Sequence, residues 1–224
     1  MKLKWYGHAS FLITAADGTR ILTDPYNAEV GYRVPLCEAD YVTVSHDHFD
    51  HNSLQNVPGK HEVIKGPGAH QAGAVAVTGI ATCHDEQGGS KRGKNTVYCF
   101  AVPEDDGLIR VCHLGDLGHQ LDDAQVAAIG VVDVLLIPTG GTYTLDPAGA
   151  AQQIAALKPR MVVPMHWRTP ALTIPLKPVD DFLGEMVGAK VERAGACSIE
   201  IKPADLAASP PSATPRIVIL DYVR

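Results

Sequence analysis

The spacing of apolar and polar positions divides the 224 residues into two halves of different rhythm. In the first half, short runs rich in β-branched and aromatic residues recur: "KLKWYG", "ASFLIT", "TRILTD", "DYVTVS", "HEVIKG", "NTVYCFAV" and "LIRVCHLGD". Each is bounded by Gly, Pro, Asp or Asn and predicts a strand. "AADGTR" predicts a hairpin turn, with Asp17-Gly18 supplying the positive φ. The second half alternates strands with helices. "DDAQVAAIG" predicts a short helix capped by Asp122 and closed by Gly130. The strand "VDVLLIP" follows, then a helix from "DPAGAAQQIAALKP" with Asp146 as N-cap and Pro147 in its first turn. The strand "MVVPMH", a helix near "VDDFLGEMVG" and the strands "KVERA" and "CSIEI" come next. "KPADLAASPPSATPR" is too rich in Pro and Ala to extend a strand and predicts a loop before the final strand "RIVILDYV". Many strands with interspersed helices predict sheets packed on each other with helices outside, in one domain over residues 1–224.

Composition narrows the function classes. Apolar residues make up 46% of the chain, an ordinary globular share. A net charge of −6 offers no general attraction for phosphate backbones or anionic membranes, so nucleic acid and membrane are not the expected partners. The five cysteines are odd in number and form no CxxC pair, which points to reduced thiols rather than a disulfide framework. No signal-like or membrane-spanning run occurs, and the expected location is the cytoplasm. The expected partner is a small-molecule substrate, and a homo-oligomer is compatible with the sequence.

The chemistry concentrates in "SHDHFDH", residues 45–51, directly after the strand-like "ADYVTV". Crowded imidazoles repel one another when protonated and cost desolvation unless a cation compensates them. In extended backbone His46 and His48 point to the same side and can reach one ion. Asp50 and His51 follow the turn and can face a second. Imidazole with carboxylate suits zinc, iron, manganese or nickel.

"SHDHFDH" resembles the H-x-H-x-D-H signature of the metallo-β-lactamase superfamily. Other pieces follow in the order that family shows: Asp24 in "ILTDP", His84 in "TCHDEQGG", Asp116 in "HLGDLGH" and His166 in "VVPMHW". "WYGHASFLI" and "GGTYTLD" further resemble small hydrolases near the ascorbate-6-phosphate lactonase branch. The resemblance implies a four-layer αββα sandwich, two mixed β-sheets face to face with helices outside. It implies two divalent metal ions, with zinc favoured and manganese, iron or nickel also fitting. His46, His48 and His84 would hold the first ion and Asp50, His51 and His166 the second, with Asp116 bridging. A hydroxide between the ions would be the nucleophile, oriented by Asp50, and would cleave a lactone, phosphodiester, thioester or amide bond.

Other residues carry open readings. If "VCHLGD" is extended, His113 and Asp116 point to opposite faces, which favours His84 as the ligand and leaves His113 packed or behind the site. Asp24 either fixes the tautomer of a metal-binding imidazole or is the turn residue of Asp-Pro, and the resemblance favours the former. His8 is either near the metal loop or structural. His119 is the candidate general acid for the leaving group, against a surface-loop reading. Lys91, Arg92 and Lys94 in "SKRGKN" are either a solvated loop or a clamp for an anionic substrate. Tyr143 is placed either at the cleft mouth or in a simple turn. Two further classes stay open: a mononuclear iron dioxygenase with a similar histidine set, and a nuclease. The nuclease is disfavoured because only 27 residues separate Asp116 from Tyr143, too few for a nucleic-acid-binding insertion.

Overall fold

The structure is a computed structural model that describes residues 1–224. Strands β1 (Lys2–Gly7), β2 (Ser10–Thr14) and β3 (Arg20–Thr23) pair antiparallel, while β4 (Tyr41–Val44) and β5 (Glu62–Lys65) add in parallel to complete most of the first sheet. An antiparallel meander follows: β6 (Gly68–Ala72), β7 (Val75–Cys83), β8 (Lys94–Glu104) and β9 (Gly107–His113). Helix α1 (Asp123–Ile129), β10 (Val134–Pro138), α2 (Pro147–Leu157), β11 (Met161–Met165), α3 (Val179–Glu185) and β12 (Val191–Arg193) continue the chain. Strand β13 (Ser198–Glu200) returns to the edge of the first sheet beside β1, and α4 (Pro203–Ala207) and β14 (Arg216–Ile219) end the order. The six-stranded sheet runs β13-β1-β2-β3-β4-β5 and the eight-stranded sheet β12-β14-β11-β10-β9-β8-β7-β6.

Alternation decides which sheet face meets which layer. Leu3, Trp5, Phe11, Ile13 and Ile21 point inward and meet Val77, Phe100, Ile109, Val111, Leu136 and Val163 of the second sheet. Strands β10, β11 and β14 are apolar on both faces, as buried parallel strands are. Their outer residues Leu135, Ile137, Val162 and Ile217 pack on Ile129 of α1, Ile154 and Leu157 of α2, and Phe182 of α3. Phe182 is fully buried there, and truncating it to Ala would cost about 3–5 kcal/mol. The outer face of the first sheet is covered differently. Leu22, Val42 and Val44 pack on Tyr26, Val30, Tyr32 and Val57, carried by the loop around two 3-10 turns, Ala28–Val30 and Leu54–Asn56. The expected sandwich of two mixed sheets is present, but α-helices cover only the outer face of the eight-stranded sheet, and the loop with the two 3-10 turns, carrying Tyr26 and Tyr32, covers that of the six-stranded sheet.

Every strand the sequence predicts is present. Asp122 caps α1 through a capping box, and Asp146 caps α2. Two strands come in addition, β6 and β7, whose small residues and glycines weaken the local signal. The expected loop at 202–215 contains α4, which starts on Pro203 and buries Leu206. All five cysteines are free. No helix is long and apolar enough to cross a membrane.

Candidate metal centre

The residues of interest follow strand ends. His8 comes directly after β1, Asp24 after β3, His84 after β7 and His166 after β11; His46 lies two residues beyond β4 and Asp116 three beyond β9. Parallel register sets β9, β10 and β11 side by side, so their exits share one end of the sandwich. Two backbone bonds tie the sheets together at that end: His166 N–H donates to His8 O at 3.1 Å and Thr96 N–H to Ser45 O at 2.9 Å. His8, Asp24 and His166 all hold left-handed backbone, with φ of 52°, 40° and 51°. Such strain costs about 1–2 kcal/mol per non-glycine residue and is sustained where surroundings over-determine it. Gly118 and Gly140 permit the closest approaches, since a Cβ on the first would overlap the His84 backbone and on the second the His166 carbonyl.

The seven side chains named by the resemblance converge. The ring nitrogens of His46, His48 and His84 lie within 4.8 Å of one another, and so do the ligand atoms of His46, His51 and Asp116. Asp116 Oδ2 lies 3.3 Å from His51 Nε2, 3.3 Å from His84 Nε2 and 3.2 Å from His166 Nε2. His51 Nε2 is also 3.7 Å from Asp50 Oδ2. All except His48 are buried.

A second ring of bonds sets the tautomers. Asp24 is fully buried; its Oδ1 accepts from Ser45 N–H at 2.8 Å and its Oδ2 from Ser45 Oγ–H at 2.6 Å and from His51 Nδ1–H at 2.9 Å. Ser45 Oγ, having spent its proton on Asp24, accepts from His46 Nδ1–H at 2.9 Å. With Nδ1 of both rings engaged outward, Nε2 of each faces the centre, that of His46 towards His48 and that of His51 towards Asp116. Asp116 is steadied from its backbone, whose N–H donates to Asn95 Oδ1 at 3.0 Å. Ser45 and Asn95 escaped the sequence reading, because Ser and Asn beside strand ends are common everywhere.

Electrostatics suit a cation. Burial pushes the His46 imidazole down to about 2, with nearby His51 adding to the effect, and burial also lowers His84. Rings that stay neutral are ready to ligate, since a metal takes deprotonated ligands. Burial opposes charge on Asp116 and Asp50, yet the surrounding histidines hold both carboxyls below their usual range. His51 is driven the other way: burial lowers it, but Asp116 and Asp50 raise it well above its ordinary value. The carboxylates thus retain positive charge at the centre. His51 Nε2 and Asp116 Oδ1 are buried without a hydrogen-bond partner. Imidazoles and carboxylates arranged this way fit divalent transition metals.

Three other histidines resolve. His8 is fully buried, its Nε2 donates to Asp50 Oδ2 at 3.0 Å, and its ring lies 4.2 Å from that of His166. It joins Asp50, His51 and His166 in one cluster of potential ligand atoms. His113 is a packed core residue; its Nδ1 accepts from Gly115 N–H at 3.1 Å and its Nε2 donates to Ala9 O at 2.8 Å. His119 departs from the expectation of a general acid. Its Nε2 accepts from Cys83 N–H at 3.1 Å and its Nδ1 donates to Gln120 O at 2.8 Å, so both nitrogens are committed to backbone. It fastens the His84 strand to the Asp116 loop and does not line the pocket.

Above the centre lies a cavity of about 350 Å³ lined by His48, Phe49, Asp50, Arg92, Tyr143 and Ile174, with His84, Asp116 and His166 at its floor. Tyr143 does stand at the mouth. The sequence profile of the β-lactamase superfamily domain matches residues 2–166, the span holding all seven converging residues. The chain belongs to the metallo-β-lactamase superfamily. The chain and a UPF0173 metal-dependent hydrolase of Anaeromyxobacter sp. strain K are 33% identical, with 75% of each chain covered. A UPF0173 metal-dependent hydrolase of Archaeoglobus fulgidus is 29% identical, over 75% of this chain and 84% of the relative. A crystal structure from Thermotoga maritima, of a candidate zinc-dependent hydrolase of the metallo-β-lactamase superfamily, is 37% identical and covers 99% of both chains with a TM-score of 0.78. The expectation of a hydrolase in this superfamily is met at that level.

Proposed function

We propose that this metallo-β-lactamase-superfamily chain is a binuclear metal-dependent hydrolase acting on an ester-like bond — lactone, phosphodiester, thioester or amide — of a small molecule in the cytoplasm. His46, His48 and His84 would hold one ion, Asp50, His51 and His166 the other, and Asp116 would bridge them. Divalent ions supply Lewis acidity and lower the pKa of water from about 15.7 towards 7. The protein's own part is placement. Asp24 and Ser45 fix the rings of His46 and His51, and His8 holds Asp50 Oδ2. Asp50 lines the cavity, where its carboxylate accepts a hydrogen bond from the attacking water and orients it. Phe49, 54% exposed at the cavity rim, receives the apolar part of the substrate.

The observation that carries this reading is Asp116 Oδ2, buried within 3.3 Å of the Nε2 atoms of His51, His84 and His166, with His84 shared by the neighbouring cluster of His46, His48 and His84. The test combines metal analysis with turnover. The purified protein should hold close to two transition-metal ions per chain, and hydrolysis of a generic ester or phosphodiester should vanish in Asp116→Ala and in His48→Ala. Full activity in both variants, or oxygen uptake with a persulfide in place of hydrolysis, would overturn it.

A further inference from the structure

Arg92 is held over the pocket by its loop and left without a counter-ion. The loop leaves the site at His84 and returns to it. Asp85 Oδ1 accepts from Gln87 N–H at 2.8 Å and Gly89 N–H at 2.9 Å, and its Oδ2 from Lys91 N–H at 2.9 Å and Arg92 N–H at 2.8 Å. His84 N–H closes the loop by donating to Gly93 O at 3.0 Å. One buried carboxylate thereby fixes the backbone of Arg92 relative to a residue of the metal cluster. The guanidinium itself lies over the Tyr143 ring, 4.5 Å from its centroid. Five of the nine arginines, Arg20, Arg110, Arg160, Arg193 and Arg216, pair with a carboxylate, and of the four that do not, Arg92 alone lines the cavity over the metal cluster. Arg92 has no such pair. Stacking on an aromatic face leaves the N–H edge of a guanidinium free for a planar, two-point contact.

Arg92 lines the cavity whose floor is His84, Asp116 and His166, and also a neighbouring one of about 480 Å³ that contains Lys65 and Lys94. Lys65 is engaged by Asp47 at 2.6 Å, whereas Lys94 has no carboxylate partner and adds a second free cation to that neighbouring wall. In a chain of net charge −6, an unpaired and doubly anchored guanidinium beside the reaction centre favours anions locally.

We infer that Arg92 recognises an oxyanion on the substrate, a carboxylate or a phosphate, carried near the bond that is cleaved. Tyr143 is the positioning residue that keeps the guanidinium over the cavity. The inference rests on the hydrolase reading for the bond but not for the anion.

The test uses the zinc-loaded full chain and three matched esters: neutral, carboxylate-bearing and phosphate-bearing. The quantity read is the ratio of kcat/KM for each anionic ester to that for the neutral one. Arg92→Gln should lower it about 10- to 100-fold, and Arg92→Lys less, since an ammonium keeps the charge and loses the fork. Tyr143→Phe should preserve the ratio and Tyr143→Ala lower it. Calorimetric titration with inorganic phosphate should show about tenfold weaker binding in Arg92→Gln. A ratio and a phosphate affinity both unchanged by Arg92→Gln overturn the inference. If the wild type hydrolyses none of the esters while phosphate binding still falls in Arg92→Gln, the hydrolase reading fails and the anion site stands. If the esters are hydrolysed with no preference for charge, the hydrolase reading stands and the anion site fails.

Discussion

Asp24 offers the sharpest test of how the centre is held, because it lines no part of the cavity and acts only through other residues. Its carboxylate is fully buried and accepts three hydrogen bonds, from Ser45 N–H, Ser45 Oγ–H and His51 Nδ1–H. Replacing it by Ala orphans all three donors. Each unsatisfied buried group costs about 1–3 kcal/mol, and water entering the void recovers part of that. Left-handed backbone at φ 40° adds about 1 kcal/mol for Ala. The expected loss is about 3–5 kcal/mol for Asp24→Ala and about half that for Asp24→Asn, which keeps the shape and tolerates the backbone. Both variants should also weaken metal binding about 10- to 100-fold, since His51 and His46 lose the bonds that set their tautomers. Urea denaturation of the metal-free protein reads the first effect, and zinc competition against a chelator reads the second. A loss under about 1 kcal/mol with zinc affinity unchanged would refute the reasoning.

Three further outcomes are expected. Gly118→Ala should displace the His84 backbone, costing about 1–3 kcal/mol in thermal or urea unfolding and lowering the metal content per chain. His8→Ala should leave Asp50 Oδ2 unpaired and weaken metal retention about 10- to 100-fold, visible in cobalt spectra, whereas His8→Gln should restore much of it by donating to the same oxygen. Asp85 has a folded-state pKa brought down to about 2: burial pushes it up, but the backbone N–H groups of Arg92, Gly89, Gln87 and Lys91 outweigh that. Its stabilising contribution is therefore complete above the ordinary carboxylate range and lost as pH falls towards about 2. The stability difference between wild type and Asp85→Asn should shrink over that window, and a constant difference would contradict it.

Local spacing carried a large share of this protein. The cluster at 46–51, the capping aspartates at 122 and 146 and most strands are short-range features, and neighbouring residues in the chain cannot avoid one another. β6 and β7 were illegible because β6 (GAHQA) has no β-branched residue and β7 (VAVTGIATC) is diluted by Ala and Gly, and they become strands by pairing with each other and with β8. The helix α4 rests on burying Leu206 in the core, which no local pattern announces. Histidines show the boundary most clearly. His8, His113 and His119 are equivalent as letters in the sequence. One buttresses Asp50, one is sealed in the core, and one spends both nitrogens on backbone. By itself the sequence determined which side chains could take a metal and that some of them sit together at one strand end. Spacing alone could not join positions 24, 84, 116 and 166 to them; the family resemblance implied it, and the tertiary structure brings them together and adds His8, because parallel register and cross-sheet bonds, which act between residues far apart in the chain, set where those strands end.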